Sequence, residues 1–354
     1  MKALVTGCCG FVGSTVATAL AERGAEVFGI DNLSRPGSER NRAALPRAGV
    51  RVVHGDLRCA SDVDALPRAD VVVDAAAVAT VLAGTEGHGS PRQLFEHNLL
   101  GTLNVLEYCR RNGAALLLLS SSRVYGIAEL AALPVEPSGG RFRLRNGAPL
   151  PSGLSARGVS EAFATRPPLS PYGASKLASE LLALEYGETY GFPVRIDRCG
   201  LLAGGGQFGR PDQGIVSYWI HSWARRRPLR YTGLGGLGLQ VRDVLHPRDL
   251  VPLLLRQATD ASPSLPRVVN VSGGIEGSIS LRELSDWCAA RLGPHEAASD
   301  PAERRFDVPW LVLDSSLARE AWGFAPATPL AEILEEIARH AEADPAWLDV
   351  SGGA

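Results

Sequence analysis

Tyr172 and Lys176 stand four residues apart in S-P-Y-G-A-S-K, and T-G-C-C-G-F-V-G runs from Thr6 to Gly13. A phenol, which ordinarily titrates near pH ~10, is a poor base at neutral pH. A lysine four residues later falls on the same face of a helix. Its charge, with that of an oxidised nicotinamide, stabilises the phenolate. Tyr172 can then take a hydroxyl proton while hydride leaves the same carbon. Either motif alone is common. In this order, some 160 residues apart, they read as a dinucleotide clamp followed by an acid/base pair, and the chemistry they point to is hydride transfer.

Gly7, Gly10 and Gly13 follow an apolar run (Lys2 to Val5) and open a helical pattern, the context a dinucleotide fingerprint needs. Missing side chains, with Phe11 and Val12 between them, let backbone amides approach a pyrophosphate at a helix N-terminus. Asp31 ends the next predicted strand, 18 residues after Gly13. A carboxylate there accepts hydrogen bonds from an adenosine ribose and repels a 2′-phosphate, so NAD is favoured over NADP. Arg35 is the one nearby residue that argues the other way. Asn32, Ser34 and Arg35 complete the predicted ribose end, and Asp56 and Leu57 are placed at the adenine. A second hydroxyl, to polarise the reacting oxygen, is expected at the end of a parallel strand, where Ser120-Ser121-Ser122 occurs. The seven histidines lack metal-ligand spacing, so no catalytic metal is inferred.

The elements that must hold these residues alternate. Apolar runs at Glu26–Ile30, Val52–His54, Val71–Val73, Ala114–Leu119 and Val194–Asp197 are separated by helical patterns, notably Leu94–Arg111 and the stretch from Tyr172 to Tyr190. Continuous apolar strands between helices predict an α/β fold with a doubly wound parallel sheet, its ligands at the carboxyl ends of the strands. Residues 1–200 are read as the dinucleotide-binding domain. Residues 201–345 are read as mainly a smaller C-terminal substrate lobe with segments returning to the first domain, and 346–354 as a tail, frayed from Ser351 to Ala354. The Pro/Gly/Ser/Arg-rich stretch Leu130–Pro171 lacks periodicity and reads as a partly ordered cover over the substrate.

Composition narrows the partners. The chain has 354 residues, a formal net charge of -2 and 21% charged residues, which disfavours a nucleic-acid partner. The run Arg225-Arg226-Arg227 reads as a solvated helix end. No apolar run reaches membrane-spanning length, and six cysteines without C-x-x-C spacing fit a reducing cytoplasm. Cys8 and Cys9 are read as small fillers of the glycine loop.

In family order, T-G-x-x-G-F-x-G, H-G-D-L-R at His54–Arg58, S-S-S-R-V-Y-G and S-P-Y-G-A-S-K resemble the extended short-chain dehydrogenases/reductases, the NAD-dependent epimerases and dehydratases. The resemblance implies a Rossmann sheet, bound NAD, a nucleotide-diphosphate-sugar substrate and a homodimer or homotetramer. It implies that Ser121, Tyr172 and Lys176 are catalytic, with Lys176 also on the nicotinamide ribose and lowering the pKa of Tyr172. Asn98 matches a residue that supports the active-site helix and is grouped with the cofactor contacts, as is Ala76. Asp74-Ala75-Ala76-Ala77 departs from the usual H-x-A-G/A. Arg242 in V-R-D-V-L-H matches a diphosphate contact. Three segments, Asp31–Ser38, Gly206–Gly214 and Leu239–His246, look most like the CDP-paratose 2-epimerase subfamily, which favours a CDP-sugar. Ser122, Arg123, Gln207, Asp212, Gln213 and Gln240 are the further substrate candidates. Family 4,6-dehydratases carry Asp-Glu after the catalytic Thr, where Ser122-Arg123 stands here, so elimination is disfavoured. A UDP-hexose 4-epimerase and a redox-inactive NAD-binding scaffold are the alternatives.

Overall fold

The computed structural model describes residues 1–352. Its centre is a seven-stranded sheet. Five strands come first in the chain: β1 (Lys2–Thr6), β2 (Glu26–Asp31), β3 (Arg51–His54), β4 (Val71–Asp74) and β5 (Ala115–Ser121). Val194–Cys199 and Val268–Val271 complete it, in the spatial order 268–271, 194–199, β5, β4, β1, β2, β3. All six pairings are parallel. The chain reverses its winding between β1 and β4, and a crevice opens there above the carboxyl ends. The strands are mostly apolar because both faces are covered, although Val194–Cys199 also buries polar residues such as Arg195, Asp197 and Arg198. The helix α1 (Phe11–Glu22) and Val251–Thr259 pack on one face, while Gly101–Asn112 and Pro171–Tyr190 pack on the other.

The last sheet strand, Val268–Val271, is drawn from the C-terminal half of the chain. The rest of that half builds a lobe around Val241–Leu245, which pairs with Leu201–Leu202, Ser278–Ser280 and Trp310–Leu311. Its core gathers Trp219, Trp223, Tyr231 and Leu284 against Ile333, Leu334 and Ile337 of the helix Leu330–Ala343.

Two expectations are corrected. The stretch 130–171 does not cover the substrate, because none of its residues lines the central cavity. It forms two small hairpins (Val135–Ser138 with Arg141–Leu144, and Leu154–Ser155 with Gly158–Val159). Leu133, Leu154, Val159 and Phe163 are buried against Val241, Val308 and Trp310–Leu313. The burial of those apolar side chains fixes the stretch as a buttress behind the lobe. Nor is 346–354 a tail, frayed at Ser351, as far as it is described. Trp347–Val350 is a short helix, and Trp347, Leu348 and Ser351 are buried. Among the described residues no helix is long and apolar enough to cross a membrane.

Candidate active site

The crevice is a cavity of ≈ 670 Å³. One end is the glycine loop. Gly7 takes φ +60°, a conformation that glycine adopts without strain, and its carbonyl accepts from Gly10 N at 2.9 Å. A Cβ on Gly13 would lie 2.1 Å from that same carbonyl oxygen. The first turn of α1 therefore packs directly on the loop. Gly10 caps this helix without a side chain, leaving its first amides open to an anion. Gly13→Ala is accordingly expected to cost about 1–3 kcal/mol through forced backbone displacement and to weaken NAD binding. Thermal unfolding with and without NAD checks this, and an unchanged ligand-induced shift would refute it.

Beyond the loop, Asp31 ends β2 with one carboxylate oxygen accepting from Cys9 N and the other from Leu33 N, both at 2.8 Å. These bonds aim the carboxylate while leaving lone pairs for two ribose hydroxyls. Cys8 and Cys9 are buried, and the hydrogen bond to Cys9, followed by burial, pushes the Cys8 thiol up. Cys8 therefore fills space as a neutral thiol, with Cys9 buried beside it. Asn32 bridges the turn, donating to Asp56 at 3.0 Å and accepting from Ser34 N at 3.0 Å. The Arg58 guanidinium holds the Asp56 carboxyl below the usual carboxylate range. Phe11, Val12, Ser34, Leu57 and Ala76 line the same end. These residues fit an NAD: an amide cradle for the pyrophosphate, a carboxylate for the adenosine ribose and an apolar slot for the adenine. Arg35 does not offer a 2′-phosphate site, because its guanidinium is committed to Gln213 Oε1 (2.7 Å) and Phe208 O (3.0 Å).

Tyr172 lies at the sheet edge of the cavity, at the start of the helix Pro171–Tyr190. Pro171 at the first position and the Ser170 hydroxyl, accepting from Gly173 N at 3.0 Å, start that helix sharply. Gly173 sets its depth, since a Cβ there would sit 2.2 Å from Arg123 O. This brings Tyr172 beside Ser121, whose hydroxyl also accepts from Arg123 N at 3.2 Å. Burial raises the Tyr172 pKa, opposed first by the hydrogen bond to Ser121, while the Arg123 charge also lowers it. Arg123 thus places a positive charge at the phenol in addition to the one expected of Lys176. Lys176 is buried one turn further along the helix and does not line the cavity. Burial lowers its pKa, opposed by the charges of Asp74 and Glu180.

Asn98 is likewise displaced from the expected cofactor contacts. It is buried behind the cavity wall, where it accepts from Val78 N at 2.8 Å and donates to Ser175 Oγ at 3.0 Å. It ties the wall to the helix that carries Tyr172. The turn that delivers it, Glu96–Leu100, is a π-helical widening within 91–112.

The far end of the cavity is cationic. Arg123 and Arg242 line it, as expected, together with Arg304. Burial pushes the Arg123 pKa down to about 9, with repulsion from Arg242 next in size. Asp307 accepts from Arg242 at 2.9 Å. Asp307 and Asp243 do not balance the guanidinium groups of Arg123, Arg242, Arg304 and Arg305 that line the cavity, and a bound diphosphate would. Arg304, Phe306 and Asp307 were not found from the sequence; the cluster R-R-F-D at 304–307 was the available signal.

The remaining substrate candidates all line the cavity, and several of their polar groups are already engaged. The amide nitrogen of Gln207 donates to Leu202 O (2.6 Å) and that of Gln240 to Thr232 O (3.0 Å). The amide oxygen of each is buried without a partner. Gln213 is bound to Arg35, which places it at the ribose end. Asp212 faces Arg210 at 3.5 Å, and its carbonyl accepts from Thr80 at 3.1 Å. Ser122 lines the cavity beside Ser121.

The profile of the NAD dependent epimerase/dehydratase family matches residues 3–272. The chain belongs to that family. It is an NAD-dependent enzyme of the nucleotide-sugar epimerase class, and its cofactor is NAD. A CDP-paratose 2-epimerase of Salmonella typhi is 31% identical over 300 residues, covering 81% of this chain and 85% of the relative. A dTDP-glucose 4,6-dehydratase of Streptomyces antibioticus is 30% identical, covering 94% of this chain and 90% of its own. The UDP-glucose 4-epimerase of Thermus thermophilus, solved with NAD, superposes with a TM-score of 0.75 at 29% identity, covering 97% of this chain and 99% of that one.

Proposed function

We propose that this enzyme inverts C2 of a CDP-linked sugar, as the name of the Salmonella typhi relative describes for CDP-paratose. The observation that carries epimerisation over elimination is the pair following Ser121. Ser122 and Arg123 offer no carboxylate to protonate a leaving hydroxyl or to abstract a carbon-bound proton.

In this reading the diphosphate lies among Arg123, Arg242 and Arg304, which anchors the nucleotide and leaves the sugar free to turn about the phosphate linkage. Ser121 holds the reacting C2 oxygen by a hydrogen bond. Tyr172 takes the hydroxyl proton and returns it after the sugar has presented its other face, so the overall change is redox-neutral. Bound NAD supplies the transient hydride acceptor. Lys176 stands behind the tyrosine as a buried amine within the fields of Asp74 and Glu180. The buried wall formed by Asn98 and Ser175 keeps the helix from shifting during the turnover.

The test is proton NMR of CDP-paratose with the purified protein and no added NAD. A changed H1–H2 coupling without loss of sugar hydroxyls supports C2 inversion with a retained cofactor. An unchanged spectrum, even with NAD added, defeats the C2 assignment. UDP-, GDP- and dTDP-hexoses would then be screened for C4 inversion, the reaction named for the Thermus thermophilus structure.

Pairing of two chains through the helices Gly101–Asn112 and Pro171–Tyr190 is part of the same reading. Leu100 is 39% and Leu181 60% exposed on this face, an apolar cost that a second copy would remove. Leu181→Glu with Leu100→Glu is expected to halve the mass seen by light scattering. A mass unchanged from that of the wild type would exclude this interface.

A further inference from the structure

The segment 344–351 reaches back across the molecule to the ribose end of the cavity. Trp347 stacks on Phe208, with ring centroids 5.3 Å apart and planes 16° from parallel. Its indole N–H donates to Gln207 O at 2.8 Å. His340 meets the same indole edge-on at 4.8 Å. A Cβ on Gly209 would touch Leu348 at 3.2 Å, so the segment lies directly against the 206–214 loop. On its other side it meets the turn that follows Asp31. Arg40 pairs with Asp344 and lies over the Trp347 ring at 5.3 Å. A Cβ on Gly37 would meet Phe208 at 2.9 Å and Val350 at 3.6 Å. Arg35 closes the arrangement from within, holding both Gln213 Oε1 and Phe208 O.

The 206–214 loop is therefore clamped between two anchors. Arg35 grips its polar groups from the dinucleotide side and Trp347 covers Phe208 from behind. Phe208, Arg210, Pro211, Asp212 and Gln213 of that loop line the cavity together with Asn32, Ser34 and Arg35. We infer that Trp347 is a positioning residue for the cofactor: the 344–351 strap holds the 206–214 loop shut over the adenosine end of NAD and so keeps the cofactor bound between turnovers. The strap touches neither the sugar end nor Tyr172. Its loss should loosen NAD without altering the chemistry once NAD is supplied. The inference rests on the placement of the adenosine against Asp31.

The test compares the wild type with Trp347→Ala, Trp347→Phe and Arg40→Ala. NAD retained through gel filtration and the NAD dissociation constant of stripped protein are the readouts, with thermal unfolding as a control. Trp347→Ala is expected to bind NAD at least about tenfold more weakly and to lose it on the column, whereas Phe restores retention by keeping the ring stack. Arg40→Ala, an exposed change that leaves the core intact, should give a smaller loss in the same direction. Turnover at saturating NAD should match the wild type. NAD affinity unchanged in Trp347→Ala overturns the inference. If that variant does not fold, unchanged affinity in Arg40→Ala does so. A wild type that binds no NAD at all overturns the cofactor placement along with it.

Discussion

Tyr172→Phe is expected to reduce turnover by about 10²–10⁴-fold, the range for loss of a positioned general acid/base, while NAD stays bound. The ring is 8% exposed and wedged beside Ser121, so phenylalanine keeps the packing and removes only the hydroxyl. Activity must rise with pH as the phenol loses its proton. Burial raises its pKa, and Ser121 and Arg123 pull it back down. Removing the Arg123 charge, as in Arg123→Leu, should therefore move the alkaline rise of kcat to still higher pH. A pH–rate profile measured on NAD-loaded protein reads both effects. Full activity in Tyr172→Phe would remove Tyr172 from the chemistry. The redox-inactive scaffold would be favoured if no substrate turns over in the wild type either.

The second large effect concerns stability. Glu180 sits two turns beyond Tyr172 on the same helix and pairs with Arg198 at 2.7 Å, with the two side chains only 3% and 9% exposed. Ser120 at the end of β5 donates to the same carboxylate, and Arg198 lies over the Tyr125 ring. The pair thus fastens the catalytic helix to the sheet at the edge where Ser121 emerges. Arg198→Met leaves the buried Glu180 carboxylate without its hydrogen-bonded cation and is expected to cost about 3–5 kcal/mol. Replacing both residues by apolar ones of similar volume should recover most of that, since the desolvation of two charges is then removed as well. Denaturant unfolding of the single and double variants decides the matter. A single variant within about 1 kcal/mol of the wild type would mean that water reaches the site and the pair behaves as a surface contact.

What could be read from the residues follows from how local each signal is. The glycine loop, Asp31 and the Tyr172–Lys176 spacing are short patterns whose geometry is set within one strand, one turn or one helix, and each was legible. Six strands of the sheet were legible as short, mostly apolar runs between helical patterns, whereas Val268–Val271 was not. The diphosphate end was only half visible. Arg242 lies in a strand with a family pattern, but Arg304 reaches the cavity from an irregular stretch, placed by the distant pairing of Leu229–Thr232 with Ala297–Asp300. The 130–171 stretch defeats pattern reading because Leu133, Val159 and Phe163 are buried at no regular interval against residues far away in the chain, such as Val308 and Trp310–Leu313. Trp347 gives no local sign of Phe208. For Lys176, spacing places it on the correct face but says nothing of its depth, and the structure buries it with Asp74 and Glu180 nearby.

The sheet has a consequence for how the chain is made. Its penultimate strand, Val194–Cys199, lies between β5 and Val268–Val271, and Val269 and Val271 are completely buried. A ribosome that has delivered only the first two hundred residues has produced a sheet in which Val194–Cys199 is an unpaired edge. That edge stays open until the whole of the stretch that builds much of the second lobe has emerged. Nascent chains are therefore exposed to edge-to-edge association during that interval. For the same reason, the dinucleotide-binding half produced on its own should precipitate, and one that also carries residues 260–275 through a linker should stay in solution.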